Sequence, residues 1–243
     1  EIQKMIWTAS QINPESIVFN IGDCFKYSYS INYKQIETEI KKIHNRHAIL
    51  TSTFHIDNNQ IFQKTNNEIT PAIVEIDAGN WNNTYINQKI AKLFSGPFNL
   101  EKGPLIKYFN IKGLTENESL FLIIAHQIIT DYHSLNIIKN ELLSLLQDGD
   151  ATLPEIKLTY IDYTQKQNRY INSHDSENDL QYWKNIIENN SNTLDLPLDY
   201  KRPSVRDFLS SKKDFPIDNK TYNQIIRLAS ESGVTPSDII LTV

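Results

Sequence analysis

Cysteine is nearly missing from this chain of 243 residues. Cys24 stands alone, so no disulfide can close within it, as expected of a reducing compartment. Positive charge is also scarce: 24 Lys and Arg face 29 Asp and Glu, for a net charge of −5. That balance offers none of the basic footprint that nucleic acid requires. No apolar run approaches the roughly 20 residues of a membrane-spanning helix, and no signal-peptide pattern opens the chain. The expectation is a cytoplasmic protein with no membrane or nucleic-acid partner. Metal ligands are equally sparse. His44 and His47 lie three apart, but no further ligands gather near them, so no metal site is expected. What is present is ordinary for a globular protein, with 40% hydrophobic and 22% charged residues. The length suffices for a substantial core, as one large domain or as two lobes.

The most informative stretch is residues 119–147. Leu120 to Ala125 are apolar without a break, which predicts a strand covered on both faces. Leu135, Ile138, Leu142 and Leu145 then recur at spacings of three and four, so a helix buries one face. Between them lie His126, Gln127, Asp131, Tyr132, His133 and Ser134. Asp131 stands where an N-cap would, its carboxylate able to accept from free helical N–H groups. Polar groups thus gather at the carboxyl end of a buried strand, where open α/β sheets commonly carry their chemistry. Successive side chains of a strand point to opposite faces, so His126 and Gln127 should not share a cavity.

The rest of the chain reads as mixed α/β. A short helix or turn precedes a strand over residues 17–29. Ile36, Ile40, Ile43, His47 and Leu50 mark an amphipathic helix over 33–50, with His47 partly buried and held by a hydrogen bond. A hairpin is expected around residues 57–59, a strand over 72–76 and a helix stopping before Gly96-Pro97. Residues 105–112 and 120–125 should pair as an antiparallel hairpin. Two helices follow, the second carrying Trp183. Residues 212–217 suggest a strand, and 218–232 a helix with Tyr222, Ile225, Ile226 and Ala229 facing inward, closed by Gly233. Thr235-Pro236-Ser237-Asp238 then signals another helix start.

Several motifs carry a family resemblance. His126-Gln127-Ile128-Ile129-Thr130-Asp131-Tyr132 resembles the His-His-x-x-x-Asp-Gly signature of nonribosomal peptide synthetase condensation domains, which belong to a wider group that includes chloramphenicol acetyltransferase. Arg46-His47-Ala48-Ile49-Leu50-Thr51 is similar to the family's Arg-His-x-x-Leu-Arg. Phe98-Asn99-Leu100 with Pro104-Leu105, Tyr160-Ile161-Asp162-Tyr163 and the run from Leu196 to Pro203 match further family segments in order. The resemblance implies a two-layer chloramphenicol acetyltransferase-like α/β sandwich. Residues 1–195 would form the N-terminal lobe, 196–205 the linker between lobes, and 206–243 the start of a second, truncated lobe.

In such domains two carrier proteins bring phosphopantetheine-bound substrates, and the amine of one attacks the thioester of the other. The domain itself would hold no cofactor. The second signature His is placed near the amine as base or positioning group, a role suited to imidazole because its pKa lies near neutrality. Here Gln127 occupies that place, and a carboxamide can accept a hydrogen bond but cannot take the proton. By motif His126, Gln127 and Asp131 are the catalytic-site equivalents, His126 and Asp131 being structural in character. Tyr132 replaces the Gly and Thr51 replaces an Arg that neighbours the signature Asp in the family. Tyr132, His133 and Thr51 are therefore candidates for the substrate tunnel, with Tyr132 filling space a pantetheine arm would use. Two readings follow. One is a condensation-like domain of secondary metabolism with a degenerate active site, whose amide-forming activity is lost or reduced, kept as a scaffold or docking surface for carrier proteins, adjacent synthetase domains or a tailoring enzyme. The other is an active acyltransferase that joins the two substrates without the second histidine.

Overall fold

The computed structural model describes residues 1–27, 32–58, 60–79, 81–114, 118–189, 197–202, 204 and 213–242. In chain order these form α1 (Ile2–Ile12), β1 (Asn20–Tyr27), α2 (Tyr33–Arg46), a 3-10 turn (Ala48–Thr51), β2 (Ser52–Asp57), β3 (Gln60–Thr65) and β4 (Ile73–Asp77). Then come α3 (Asn83–Phe94), β5 (Ile106–Lys112), β6 (Ser119–His126), α4 (Tyr132–Gln147), α5 (Tyr160–Ile171) and α6 (His174–Asn189). Helices α7 (Asn219–Ser232) and α8 (Pro236–Thr242) complete the described chain. Two compact units result, Glu1–Thr193 and Leu194–Val243. Of the expected linker 196–205, residues 196, 203 and 205 lie outside the described residues.

β6 lies inside a four-stranded sheet of order β1-β6-β5-β4, antiparallel except for the β4/β5 pair. Its residues Phe121 to His126 are all buried, as the unbroken apolar run predicts. Register fixes what covers each face. Asp23, Ile123 and Tyr108 are cross-strand partners and share a face. Asp23 is paired with Lys139 of α4 at 2.8 Å, and Tyr108 Oη lies 2.9 Å from His44 Nε2 of α2. Helices α2 and α4 therefore lie over that one side. Gly22, Ile124 and Lys107 point the other way, where Gly22 meets Phe94 of α3 and Lys107 Nζ sits 4.4 Å from the Phe98 ring centroid.

Gly22 sets how closely α3 can approach. A Cβ there would fall 2.3 Å from the carbonyl oxygen of Ile123 and 2.5 Å from Phe94 Cζ. The first of these is backbone in the central strand and cannot swing aside. Gly22→Ala is expected to cost about 3 kcal/mol of unfolding free energy, measurable as a drop in the urea midpoint with an unchanged slope.

Elsewhere the structure refines the expectations. The helix expected over 33–50 ends at Arg46, because His47 leaves helical geometry (φ −113°, ψ 81°) and a 3-10 turn follows. The strand expected from residue 17 begins at Asn20. No strand forms over residues 213–217, and Lys212 lies outside the described residues. In α7 only Ala229 is buried, while Tyr222 and Ile226 are exposed within their unit. The helix ends are as read. The Asp218 carboxylate accepts from the N–H groups of Lys220 and Thr221, Gly233 closes α7 at φ 66°, and Thr235 and Asp238 bond reciprocally at the start of α8.

Candidate active site

Past β6 the chain turns tightly, the Ile129 N–H donating to the His126 carbonyl at 3.1 Å. The Gln127 N–H donates to the Phe19 carbonyl at 2.8 Å, carrying the pairing with the β1 side one step beyond the strand. From α1, the Gln3 carboxamide donates to the Ile128 carbonyl at 2.9 Å and straps that helix over the turn. Asp131 has extended backbone and caps α4. Its Oδ1 accepts from both the N–H and the hydroxyl of Ser134 at 2.7 Å. Those two bonds hold its carboxyl below the usual carboxylate range. Asp131→Ala is expected to cost about 1 kcal/mol by leaving the α4 amino end uncapped, readable by thermal denaturation.

Alternation sends the two signature residues to opposite sides of the sheet end. Gln127 is exposed and lines a cavity of about 550 Å³, with wall residues from α1, the 3-10 turn, α4 and α5. This lies within the size range of small-molecule sites. Asp131 borders the same cavity, as do His47, Tyr160 and Tyr163. No hydrogen bond engages the Gln127 carboxamide among the described residues, so it is free to meet a ligand.

His126 lies on the far side, lining a separate recess of about 310 Å³ with Phe98. It is only 4% exposed, and its Nδ1 accepts from the Ile128 N–H at 3.2 Å. Burial depresses its pKa to about 4, so the ring is neutral near pH 7 and carries its proton on Nε2. Such an imidazole is a hydrogen-bond donor behind the sheet, not a base at the Gln127 cavity.

The three tunnel candidates do not join Gln127. Tyr132, the first residue of α4, is 69% exposed and absent from the wall of the cavity. His133 is exposed beside it and likewise off the wall. Thr51 is buried, and its hydroxyl donates to the Ala48 carbonyl at 3.0 Å rather than to Asp131.

His47 does reach the wall, but its Nε2 lies 2.7 Å from Glu141 Oε2 on α4. Glu141 also accepts from Arg46 Nε at 2.9 Å. The pair locks the end of α2 against α4, and the expectation of a partly buried His47 held by a hydrogen bond is met. Sequence reasoning did not place Gln3, Tyr160 or Tyr163 at the site. The Tyr160-Ile161-Asp162-Tyr163 segment was a visible signal for the last two. Burial raises the Tyr160 pKa, with Tyr163 and Asp131 adding to it, so its hydroxyl keeps its proton.

Comparison with known proteins identifies the family and the fold. A family model described as "Condensation domain" matches residues 1–243. Gramicidin S synthase 2 of Brevibacillus brevis is 27% identical over 240 residues, covering 99% of this chain and 5% of that protein. Surfactin synthase subunit 2 of Bacillus subtilis (strain 168) is 27% identical over 236 residues, covering 96% of this chain and 6% of that protein. The chain thus spans a small fraction of the length of these relatives. Among solved structures, the starter condensation domain of rhizomide synthetase RzmA superposes with a TM-score of 0.69 at 20% identity, covering 77% of this chain and 47% of that one. A four-domain nonribosomal peptide synthetase bound to AMP and glycine gives a TM-score of 0.77 at 20% identity, over 98% of this chain and 18% of that one. Both show the α/β fold.

Proposed function

The chain belongs to the condensation-domain family, and from that premise we propose that it binds carrier-borne acyl or aminoacyl thioesters but forms amide bonds poorly. The observation that carries this reading is the free Gln127 carboxamide on the wall of the 550 Å³ cavity. It stands where the family signature has its second histidine. A carboxamide orients an amine through its oxygen yet does not accept the proton that amide formation releases. His47, the histidine that shares this wall, has its Nε2 committed to Glu141.

On this reading the fold persists as a docking site. Residues 1–195 act as the N-terminal lobe, 196–205 as linker and 206–243 as the beginning of a second lobe. Its partners are carrier proteins bearing phosphopantetheine and the adjacent domains of a synthetase, with a tailoring enzyme as a further candidate for the docking surface. Among the described residues no helix is long and apolar enough to cross a membrane. The free carboxamide also supports a second reading, an active enzyme in which Gln127 aligns the amine and proximity does the rest. Positioning alone contributes roughly 7–11 kcal/mol at its best.

The test loads donor and acceptor carrier proteins with aminoacyl thioesters and follows amide product by mass spectrometry with the intact protein. Slow turnover that Gln127→Ala leaves within about twofold, together with retained carrier binding, supports the impaired reading. Rapid turnover that Gln127→Ala abolishes establishes the active one instead.

A further inference from the structure

We infer that the cavity beside Gln127 is selective for uncharged aliphatic acyl groups and rejects acyl groups that end in a carboxylate. This inference rests on the proposal that carrier-borne thioesters enter there, and it names their chemical class. The wall is built largely from branched aliphatic side chains: Ile6 of α1, Ile49 and Leu50 of the 3-10 turn, Ile128 and Ile129 of the turn, and Ile138 of α4. Burying a hydrocarbon chain against such a wall is favourable by about 0.8 kcal/mol per methylene.

Several polar groups on the wall are engaged within the protein. Oδ1 of Asp131 takes two bonds from Ser134, His47 Nε2 is engaged by Glu141, and Gln3 donates to the Ile128 carbonyl. Among the described residues no Lys or Arg lines the cavity. A ligand carboxylate would therefore lose its water, meet no Lys or Arg side chain there and face the carboxylates of Asp131 and Glu1. The unengaged carboxamide of Gln127 and the hydroxyls of Tyr160 and Tyr163 supply only neutral hydrogen-bonding positions, enough to orient a carbonyl or an amine but not to compensate a charge.

The experiment compares hexanoyl-pantetheine with adipoyl-pantetheine by isothermal titration calorimetry against the intact protein. The two acyl groups have the same six carbons and differ in a terminal carboxylate. The hexanoyl thioester is expected to bind at least about tenfold more tightly. Ile137, on α4, borders the cavity and is 40% exposed, so it tolerates substitution. Ile137→Trp should weaken hexanoyl binding, and Ile137→Lys should narrow or reverse the preference by supplying the absent cation. Equal affinities, tighter adipoyl binding, no hexanoyl binding at all, or an Ile137→Lys variant with unchanged preference would each overturn the inference. Titration with phosphopantetheinylated carrier protein separates the two proposals. Retained carrier binding without acyl preference removes only the aliphatic selectivity, whereas lost carrier binding removes the docking role on which it stands.

Discussion

Between pH 6.5 and 5 the protein is expected to lose about 2 kcal/mol of unfolding free energy through His44 and a similar amount through His126. Burial depresses both to a pKa of about 4, with the neighbouring His47 adding to the effect at His44. Near pH 6.5 an unfolded-state histidine begins to take up a proton, while the folded one stays neutral until about pH 4. The unfolded chain therefore binds more protons throughout that window. Stability is fully present above pH 6.5 and falls as the pH drops. Carried down to pH 4, the loss reaches about 3 kcal/mol for each site, a large part of the 5–15 kcal/mol typical of a folded domain.

The geometry explains why neither imidazole accepts the charge. His44 Nε2 faces the buried Tyr108 hydroxyl, and its Nδ1 is buried with no hydrogen-bond partner among the described residues. A second proton on that ring would be stranded. At His126 the Ile128 N–H already points at Nδ1, so protonation would set two donors against each other. The two sites lie on opposite faces of the sheet, so their effects should add. Urea denaturation at half-unit pH steps measures the loss. In His44→Leu/Tyr108→Phe, which removes both members of the pair, roughly half the dependence between pH 6.5 and 5 should vanish. An unchanged dependence in that variant would show that His44 is not its source.

What the sequence disclosed, and what it did not, follows the range of the forces involved. The apolar run of β6 and the spacing of Leu135, Ile138, Leu142 and Leu145 are local, and both elements appear as read, with Asp131 as cap. Period-two alternation was enough to separate His126 from Gln127. The end of α2 was not legible, because a 3-10 turn places Leu50 three residues after His47, as a continuing helix would. Nor could spacing name Glu141 as the partner of His47, since 94 residues separate them. The case for Tyr132 in a tunnel rests solely on the Gly that stands there in the family signature. At the first position of a helix its direction is set by the cap, which turns it to solvent. The cavity itself is tertiary, assembled from five parts of the chain, and only its Gln127 and Asp131 wall was visible in one motif.

That separation matters for the last expectation, in which Gln127→His raises the rate of amide formation by about 10²–10⁴-fold, the usual contribution of a positioned acid or base. Three departures from the family motifs, Thr51, Gln127 and Tyr132, bear on the reaction. The structure sorts them by position. Thr51 is buried and bonded to its own turn, Tyr132 points to solvent, and Gln127 alone lies on the cavity wall. Restoring one imidazole should therefore suffice, without Thr51→Arg or Tyr132→Gly beside it. The gain should fall on kcat with KM nearly unchanged, because a base acts on the transition state more than on the bound thioester. It should also bring a pH–rate limb near the ordinary histidine range, absent from the unsubstituted protein. A triple variant carrying all three reversions gives the control. If only the triple variant gains activity, the impairment resides in the backbone around α4 rather than in the missing proton acceptor, and the role assigned to Gln127 falls.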